Sequence, residues 1–305
     1  MGECAHPMKT AREAAARLGP IGLWSFDLER MTAADEGRLA REIEGLGFKT
    51  LWIPESLGSK EIFAHASILL AATKTLIVAS GIANIWARDA VAMSNGARAL
   101  QEAYADRFLC GLGVSHKPTI EARLGGGYEK PLAHMRAYLD AMDKAPYVGP
   151  NRKDPPAPRV LAALGPQMLR LSAERSLGAH PYFVPVEHTT IARQELGPDP
   201  LLAVEQACTL QTDPARARET ARAHMKRYLG LANYANNLRR LGWGDADIES
   251  GGSDRLVDAI VAWGDVTAVK ARADAHRRNG ADHVCLQVLG DDLAGQLRVI
   301  AKALL

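Results

Sequence analysis

Two rhythms of apolar residues alternate along the chain. Short, almost unbroken apolar runs stand at 21–26 (IGLWSF), 48–54 (FKTLWIP), from Leu76 onward (LIVASGIAN), and at 107–113 (RFLCGLG). Four more stand at 160–164, 179–184, 201–208 and 283–288. Consecutive apolar positions over such lengths suit strands covered on both faces, as in parallel sheets. Between the runs the spacing changes to three and four residues, as in Leu39, Ile43 and Leu46, then Met93, Ala97, Leu100 and Tyr104, then Leu132, Met135, Leu139 and Met142. That period predicts helices with one buried face.

Start and stop signals punctuate the same alternation. Thr10 opens and Gly19-Pro20 closes a first helix, Thr32 and Gly47 bound a second, and 61–73 reads as a third. Pro131 sits in a first turn, Thr189 or Thr190 is expected to cap a short helix, and Asp213-Pro214 opens a long one. Helical segments broken at Gly242, Gly244, Gly251-Gly252 and Gly264 precede the last strand, and Asp265 caps the helix before it. Eight strand-helix alternations predict an α/β fold, a TIM (β/α)8 barrel in one domain over 1–305. It would carry an N-terminal helical extension over 1–19 and a helical insertion at about 230–264 before the last strand.

Composition narrows the chemistry. The 305 residues are 47% hydrophobic and 24% charged, and 37 basic against 35 acidic residues leave a net charge of +2. No like-charge block favours nucleic acid, and no long apolar segment favours a membrane. A small-molecule ligand is the expectation. Cys4, Cys110, Cys208 and Cys285 are scattered without a Cys-x-x-Cys pair, which predicts reduced thiols and a cytoplasmic protein. The first residues lack the apolar centre of a signal peptide, and His6 spoils a myristoylation match. No metal-ligand spacing, Gly-x-Ser-x-Gly or Walker lysine motif is present. Gly111-Leu112-Gly113 lacks the third glycine of a dinucleotide fingerprint.

In such a barrel the chemistry sits at the C-terminal ends of the strands. Those ends supply Trp24 and Phe26, Glu55-Ser56, Gly81 to Asn84, Gly113 to His116, Gly165 to Met168, and His180 to Tyr182. Together they predict a pocket with aromatic walls, one carboxylate and glycine-bearing turns, suited to a flat polar ligand. Gly165-Pro166-Gln167-Met168 ends a strand and starts a helix, where free N–H groups and the helix dipole favour an anion. Trp52 is expected to pack in the core, while Trp24 and Trp86 are expected to touch substrate, with Phe26. His116, with an ordinary pKa near 6.5, suits proton transfer. His188, His224, His276 and His283 are assigned to packing. The arginine-rich helix from Arg216 to Arg227 reads as a solvated face from which a few charges could reach an acidic ligand tail.

Several of these segments resemble the luciferase-like monooxygenase superfamily, and in particular its branch of oxidoreductases dependent on coenzyme F420, a deazaflavin. The carriers are LWIPES, SGIANIWARDAVAMSNGARALQE, RFLCGLGVSH and LAALGPQMLRLSAERSLGAHPYFVPVEHT, within a likeness that runs from about Gly19 to the C-terminus. The resemblance implies a deazaflavin ring over the barrel mouth, backed by a bulge with a non-proline cis bond at Gly81-Ile82. It implies Glu55, Gly81, Ile82, Ala83, Asn84, Val114, Ser115, His116, Leu164, Gly165, Pro166, Gln167, Met168, His180, Pro181 and Tyr182 as cofactor contacts. Glu55, Ser56 and His116 become the expected catalytic residues, hydride transfer the expected reaction, and a homodimer the expected assembly. Deazaflavin sugar-phosphate dehydrogenases of the family carry histidine where Ser56 stands and a carboxylate where Val114 stands, so that substrate is not implied. An FMN-dependent monooxygenase and a cofactor binder without turnover are the alternatives. The stretch 118–128, read as a loop, and the insertion after Gly230 would line the substrate side.

Overall fold

The computed structural model describes residues 8–56, 58–150 and 156–305. Readings of Cys4, His6 and the middle of the turn-rich stretch at 151–155 lie outside them. In chain order the strands are β1 (Ile21–Trp24), β2 (Thr50–Ile53), β3 (Ile77–Ser80), β4 (Ala83–Asn84), β5 (Phe108–Gly113), β6 (Arg159–Leu161), β7 (Gly178–Ala179), β8 (Leu201–Thr209), β9 (Ala262–Trp263) and β10 (His283–Val288). Helix α1 (Ala11–Leu18) precedes them. The helices α2 (Ala33–Gly45), α3 (Ile62–Ala72), α4 (Ala90–Ala103), α5 (Lys117–Leu124), α6 (Pro131–Asp143), α7 (Pro166–Arg175) and α8 (Val186–Leu196) are interleaved. Four more, α9 (Pro214–Leu229), α10 (Ala232–Arg240), α11 (Asp245–Ile248) and α12 (Asp254–Ile260), separate β8 from β9, and α13 (Val266–Arg278) and α14 (Leu293–Leu304) follow.

All pairings are parallel, in the order β10-β1-β2-β3-β5-β6-β7-β8, and β8 pairs with β10 to close an eight-stranded barrel. Short β4 continues β3 against β5, and β9 extends the edge of β8. Inward side chains of alternate residues, among them Trp24, Trp52, Ile77, Ala79, Leu109, Val160, Leu201, Ala203 and Cys285, fill the interior. A second apolar shell lies between the strands and the surrounding helices.

Helix α1 closes the lower end of the barrel. Thr10 accepts from the Glu13 N–H while the Glu13 carboxylate accepts from the Thr10 N–H, a reciprocal cap that fixes where the helix starts. Its buried Ala14 and Leu18, with Met8, join the interior cluster. The Leu18 carbonyl accepts from the Thr50 hydroxyl at 2.9 Å, and the Gly19 carbonyl from His283 Nδ1 at 2.7 Å.

Strand β3 carries one more residue than its neighbour. Val78 and Ala79 pair with Phe108 and Leu109, an offset of 30, whereas Ala83 and Asn84 pair with Leu112 and Gly113, an offset of 29. One residue is therefore bulged, and the inward parity changes with it: Ile77, Ala79 and Gly81 face in below the bulge, Ile82 and Asn84 above it. The Gly81-Ile82 peptide bond is cis. Where the ladder is interrupted, the buried Ser80 hydroxyl donates to the Gly111 carbonyl at 2.9 Å and accepts from the Gly111 N–H at 2.8 Å. Gly111 has no alternative, because a Cβ there would stand 1.9 Å from the Ser80 carbonyl oxygen.

Four readings of local structure change. The sixth barrel strand pairs only at Gly178–Ala179 rather than over 179–184, since Pro181 has no N–H to give and Phe183 turns the chain at φ 58°. The fifth spans Arg159–Leu161 rather than 160–164. The stretch taken as a loop at 118–128 contains α5, whose Pro118 occupies a first-turn position where a missing N–H is harmless. Neither Thr189 nor Thr190 caps α8, which starts at Val186 after Pro185. The Thr189 hydroxyl instead lies 2.7 Å from His276 Nδ1, and His276 Nε2 donates to Gln206 Oε1 at 2.8 Å.

Ser80→Ala removes the hydroxyl that satisfies both Gly111 backbone groups. It is expected to destabilise the protein by about 1–3 kcal/mol in urea unfolding. A loss below about 0.5 kcal/mol would show that the ladder closes without it.

Candidate functional site

The floor of the barrel is a fixed chain of aromatic groups. His283 donates to the Gly19 carbonyl through Nδ1 and accepts from Trp52 Nε1 at 3.0 Å through Nε2. A Cβ on the facing Gly22 would come within 2.6 Å of the His283 ring, so glycine in β1 makes room for it. Trp52 stacks on His180 with ring centroids 4.2 Å apart, and His180 Nδ1 donates to the Ala203 carbonyl at 2.8 Å. Burial pulls both histidines down to about 4, so both rings are neutral at pH 7.

Above this floor a cavity of about 250 Å³ opens at the C-terminal ends of the strands. Gly81, Ile82 and Asn84 of the bulge form one wall, and a Cβ on Gly113 would meet the Ile82 side chain at 2.4 Å. Val114, Ser115 and His116 continue that wall, with Ser115 held at φ 55°. Glu55 and Ser56 enter just after β2, Leu164 from the turn before α7 and Met168 from its first turn. Trp24, Phe26, His180 and Tyr182 complete the sequence-derived residues on the cavity.

Six expected contacts do not line it. Ala83 faces outward into the shell under the helices, because the bulge has reversed the alternation. Trp86 stacks on His134 at 3.9 Å and donates from Nε1 to the Val114 carbonyl at 3.0 Å, so it braces the wall from behind. Gly165, Pro166, Gln167 and Pro181 border the cavity without lining it.

Glu55 is committed to structure. One oxygen accepts from the Asn84 N–H at 2.7 Å and from Arg88 Nη1 at 3.0 Å, and the other pairs with Arg88 Nη2. This carboxylate therefore ties the end of β2 to the bulge. His116, half-buried at the start of α5, lies 3.2 Å through Nδ1 from Asn233 Oδ1, and burial lowers its pKa, with the Asn233 contact opposing. Its ring is therefore neutral at pH 7.

The insertion supplies a wall, as expected of the stretch after Gly230, but the sequence singles out none of its cavity residues. Arg227, Tyr228, Asn233 and Tyr234, from α9 and α10, reach the cavity. Tyr182 donates to Gln287 Oε1 at 2.8 Å and accepts from the Tyr228 hydroxyl at 2.8 Å. Arg240, on α10, brings its guanidinium within 3.5 Å of where a Cβ on Gly165 would stand, beside the start of α7. Among the described residues neither Arg227 nor Arg240 has a carboxylate partner. Glu205 was missed too. It stands in β8 among inward-facing residues, 1% exposed, with Oε2 accepting from the Phe183 N–H at 3.0 Å and Oε1 unpartnered. Burial raises its pKa to about 8 against that single hydrogen bond. A carboxylate in the run LLAVEQACT was the available signal. Among the described residues no group of three or more His, Cys, Asp or Glu could hold a metal, and no helix is long and apolar enough to cross a membrane.

A closed parallel barrel with its cavity at the C-terminal mouth defines a (β/α)8 protein whose ligand site is built from strand ends and loops. A family model described as luciferase-like monooxygenase matches residues 14–283, and the chain belongs to that family. It is 24% identical over 207 residues to a 5,10-methylenetetrahydromethanopterin reductase of Methanolobus tindarius, covering 60% of this chain and 63% of that protein. It is 27% identical over 129 residues to a putative coenzyme F420-dependent oxidoreductase of Mycobacterium tuberculosis, covering 42% and 36%. The matches thus span less than two thirds of either relative. Among solved structures, an F420-dependent secondary alcohol dehydrogenase holding an F420-acetone adduct superposes with a TM-score of 0.74 at 13% identity, over 92% of this chain and 97% of the other. The last likeness is one of fold.

Glu205 predicts a pH dependence of stability. Its raised folded pKa means that between about pH 4.5 and 8 the unfolded chain gives up a proton that the folded chain keeps, so stability falls across that window as pH rises. Glu205→Gln keeps the acceptor for Phe183 and removes this loss. Its stability relative to the parent is expected to grow from pH 5 to pH 8, by on the order of 3 kcal/mol, and then level off. A difference that is the same at pH 5 and pH 8 would contradict the assignment.

Proposed function

We infer that this protein is an oxidoreductase that binds coenzyme F420 at the barrel mouth and transfers hydride between the deazaflavin and a small organic substrate. The observation that carries the reading is the cavity itself, with glycines 81 and 113 facing it, a bulged strand behind them and, at its edge, a helix start beside an arginine that has no carboxylate partner among the described residues. Relatives and structural neighbours described as F420-dependent support the same cofactor.

The residues fit the group. Gly81 presents no side chain toward the cavity, and Ile82 gives a flat apolar support for a ring. The α7 start, with Pro166 at its first position and no side-chain cap, offers backbone N–H groups and the positive end of a ten-residue helix to a phosphate. Arg240 adds a full charge there and Arg227 another at the rim. When bound, the cofactor supplies the hydride chemistry. The chain supplies orientation, exclusion of water by the aromatic wall, and proton transfer. Glu55 holds the bulge in place, and Ser56 and His116 are polar groups on the cavity beside a substrate, with His116, its Nδ1 held against Asn233 Oδ1, accepting a proton through Nε2. Neither a histidine at position 56 nor a carboxylate at 114 is present, so sugar phosphates are not the proposed substrates.

Fluorescence titration with coenzyme F420 and with FMN tests the reading. Saturable binding of F420 with FMN at least tenfold weaker supports it, whereas the reverse order would transfer the site to FMN chemistry. Arg240→Ala is expected to weaken F420 about tenfold while leaving the phosphate-free deazaflavin riboside unchanged. Equal losses for both ligands would remove the phosphate from this position.

A further inference from the structure

Two buried nitrogens on the cavity have no hydrogen-bond partner among the described residues, and they converge. Trp24 Nε1 on β1 and His180 Nε2 after β7 are both unpartnered, on side chains 2% and 1% exposed. A Cβ on Gly81 would stand 2.5 Å from the first and 3.1 Å from the second. Both nitrogens therefore surround one point, and they are no farther apart than a single oxygen can bridge with two hydrogen bonds of about 2.9 Å. Glycine at 81 keeps the space before them clear.

Their chemistry is complementary. An indole N–H can only donate. His180 is neutral, and its Nδ1 proton is spent on the Ala203 carbonyl, which leaves Nε2 with a lone pair that can only accept. The Tyr182 hydroxyl nearby is already satisfied by Tyr228 and Gln287 and does not compete. A group that accepts one hydrogen bond and donates one through the same atom fits between them: water does so in solution, and on an oxygen-bearing organic ligand that group is a hydroxyl. A carbonyl oxygen would satisfy Trp24 alone, and an apolar group neither. The rings around the pair are apolar: Phe26 packs edge-on to Trp24 at 4.5 Å, and Tyr182 lies 5.0 Å from it.

We propose that Trp24 Nε1 and His180 Nε2 form a hydroxyl-binding site at the floor of the cavity, and that the substrate is an alcohol carried on an aromatic or otherwise apolar body. The proposal depends on the functional reading only in giving the hydroxyl to the substrate. Trp24 and His180 act here as binding residues that select and orient that group.

The test uses three matched probes without cofactor: 1-phenylethanol, acetophenone and ethylbenzene. Binding is read from the Trp24 indole ¹H–¹⁵N cross-peak, assigned by its loss in Trp24→Phe, and by calorimetry. The alcohol is expected to bind tightest and the hydrocarbon weakest, at least tenfold apart, with the cross-peak moving for the alcohol and the ketone only. Trp24→Phe should bring ketone and hydrocarbon to the same affinity. His180→Phe, which keeps a flat ring on Trp52, should lower the alcohol to the level of the ketone. Equal affinities for all three probes in the parent protein would overturn the proposal. So would variants that weaken F420 binding while leaving the alcohol-to-hydrocarbon ratio unchanged, because the pair would then belong to the cofactor ring. The probe titrations involve no turnover and no cofactor, and F420 binding by the variants is titrated separately. Failure of F420 to bind therefore counts against the functional reading and leaves this site standing.

Discussion

One additional residue in β3 decides what the barrel mouth looks like. Below it the odd-numbered residues face inward, above it the even-numbered ones do, and the crossover places Gly81 and Ile82 side by side on the cavity. A regular strand would have put Gly81 and Ala83 there and turned Ile82 and Asn84 away. The surroundings are built to hold the irregular form. Ser80 replaces the interrupted ladder bonds, Gly111 leaves room for the Ser80 carbonyl, Gly113 leaves room for Ile82, and Glu55 grips the Asn84 N–H while paired with Arg88. Four residues from β2, β3 and β5 thus serve one backbone feature. Their polar groups satisfy one another, which is what a buried backbone break requires.

The lower half of the barrel obeys a different economy of charge. Histidines 180 and 283 are neutral donors and acceptors in fixed tautomers, each with its Nδ1 proton directed at a backbone carbonyl, and Trp52 joins them by a hydrogen bond to one and a stack on the other. Glu205 is kept in its protonated range by burial with one backbone partner. Ionisable side chains in this interior behave as polar neutral ones, and the charged groups of the site stand above them: the Glu55–Arg88 pair at the bulge, and Arg227 and Arg240 from the insertion.

Much of this was legible from the residues alone. The near-continuous apolar runs specified the parallel strands, and glycine at strand ends marked Gly81 and Gly113 as places of close approach. What was not legible depended on parity or on distant contacts. The resemblance implied a bulge at Gly81-Ile82, but neither it nor the residue pattern fixed the parity beyond that point, so Ala83 and Trp86 were expected at the mouth and face away from it. Arg227 was read on a mainly solvated helix from which a few charges could reach a ligand, and the stretch after Gly230 as substrate-side, with neither Tyr228 nor Tyr234 singled out. Only the fold-back of α9 and α10 over the barrel, through a cluster with Phe183 and Leu238, turns them to the cavity. Glu205 is different in kind: a carboxylate inside an apolar strand is a local signal, and it went unweighed.

Helix α1 has a consequence for traffic. Because Met8, Ala14 and Leu18 stopper the tube from beneath, the cavity beside Gly81 opens at the C-terminal mouth, whose lining includes Tyr234 and His116. Two guests sharing such a shaft cannot exchange independently. If two guests share it, whichever settles deeper is covered by the other, so the architecture of the vessel sets an order of arrival as well as the affinities of its occupants.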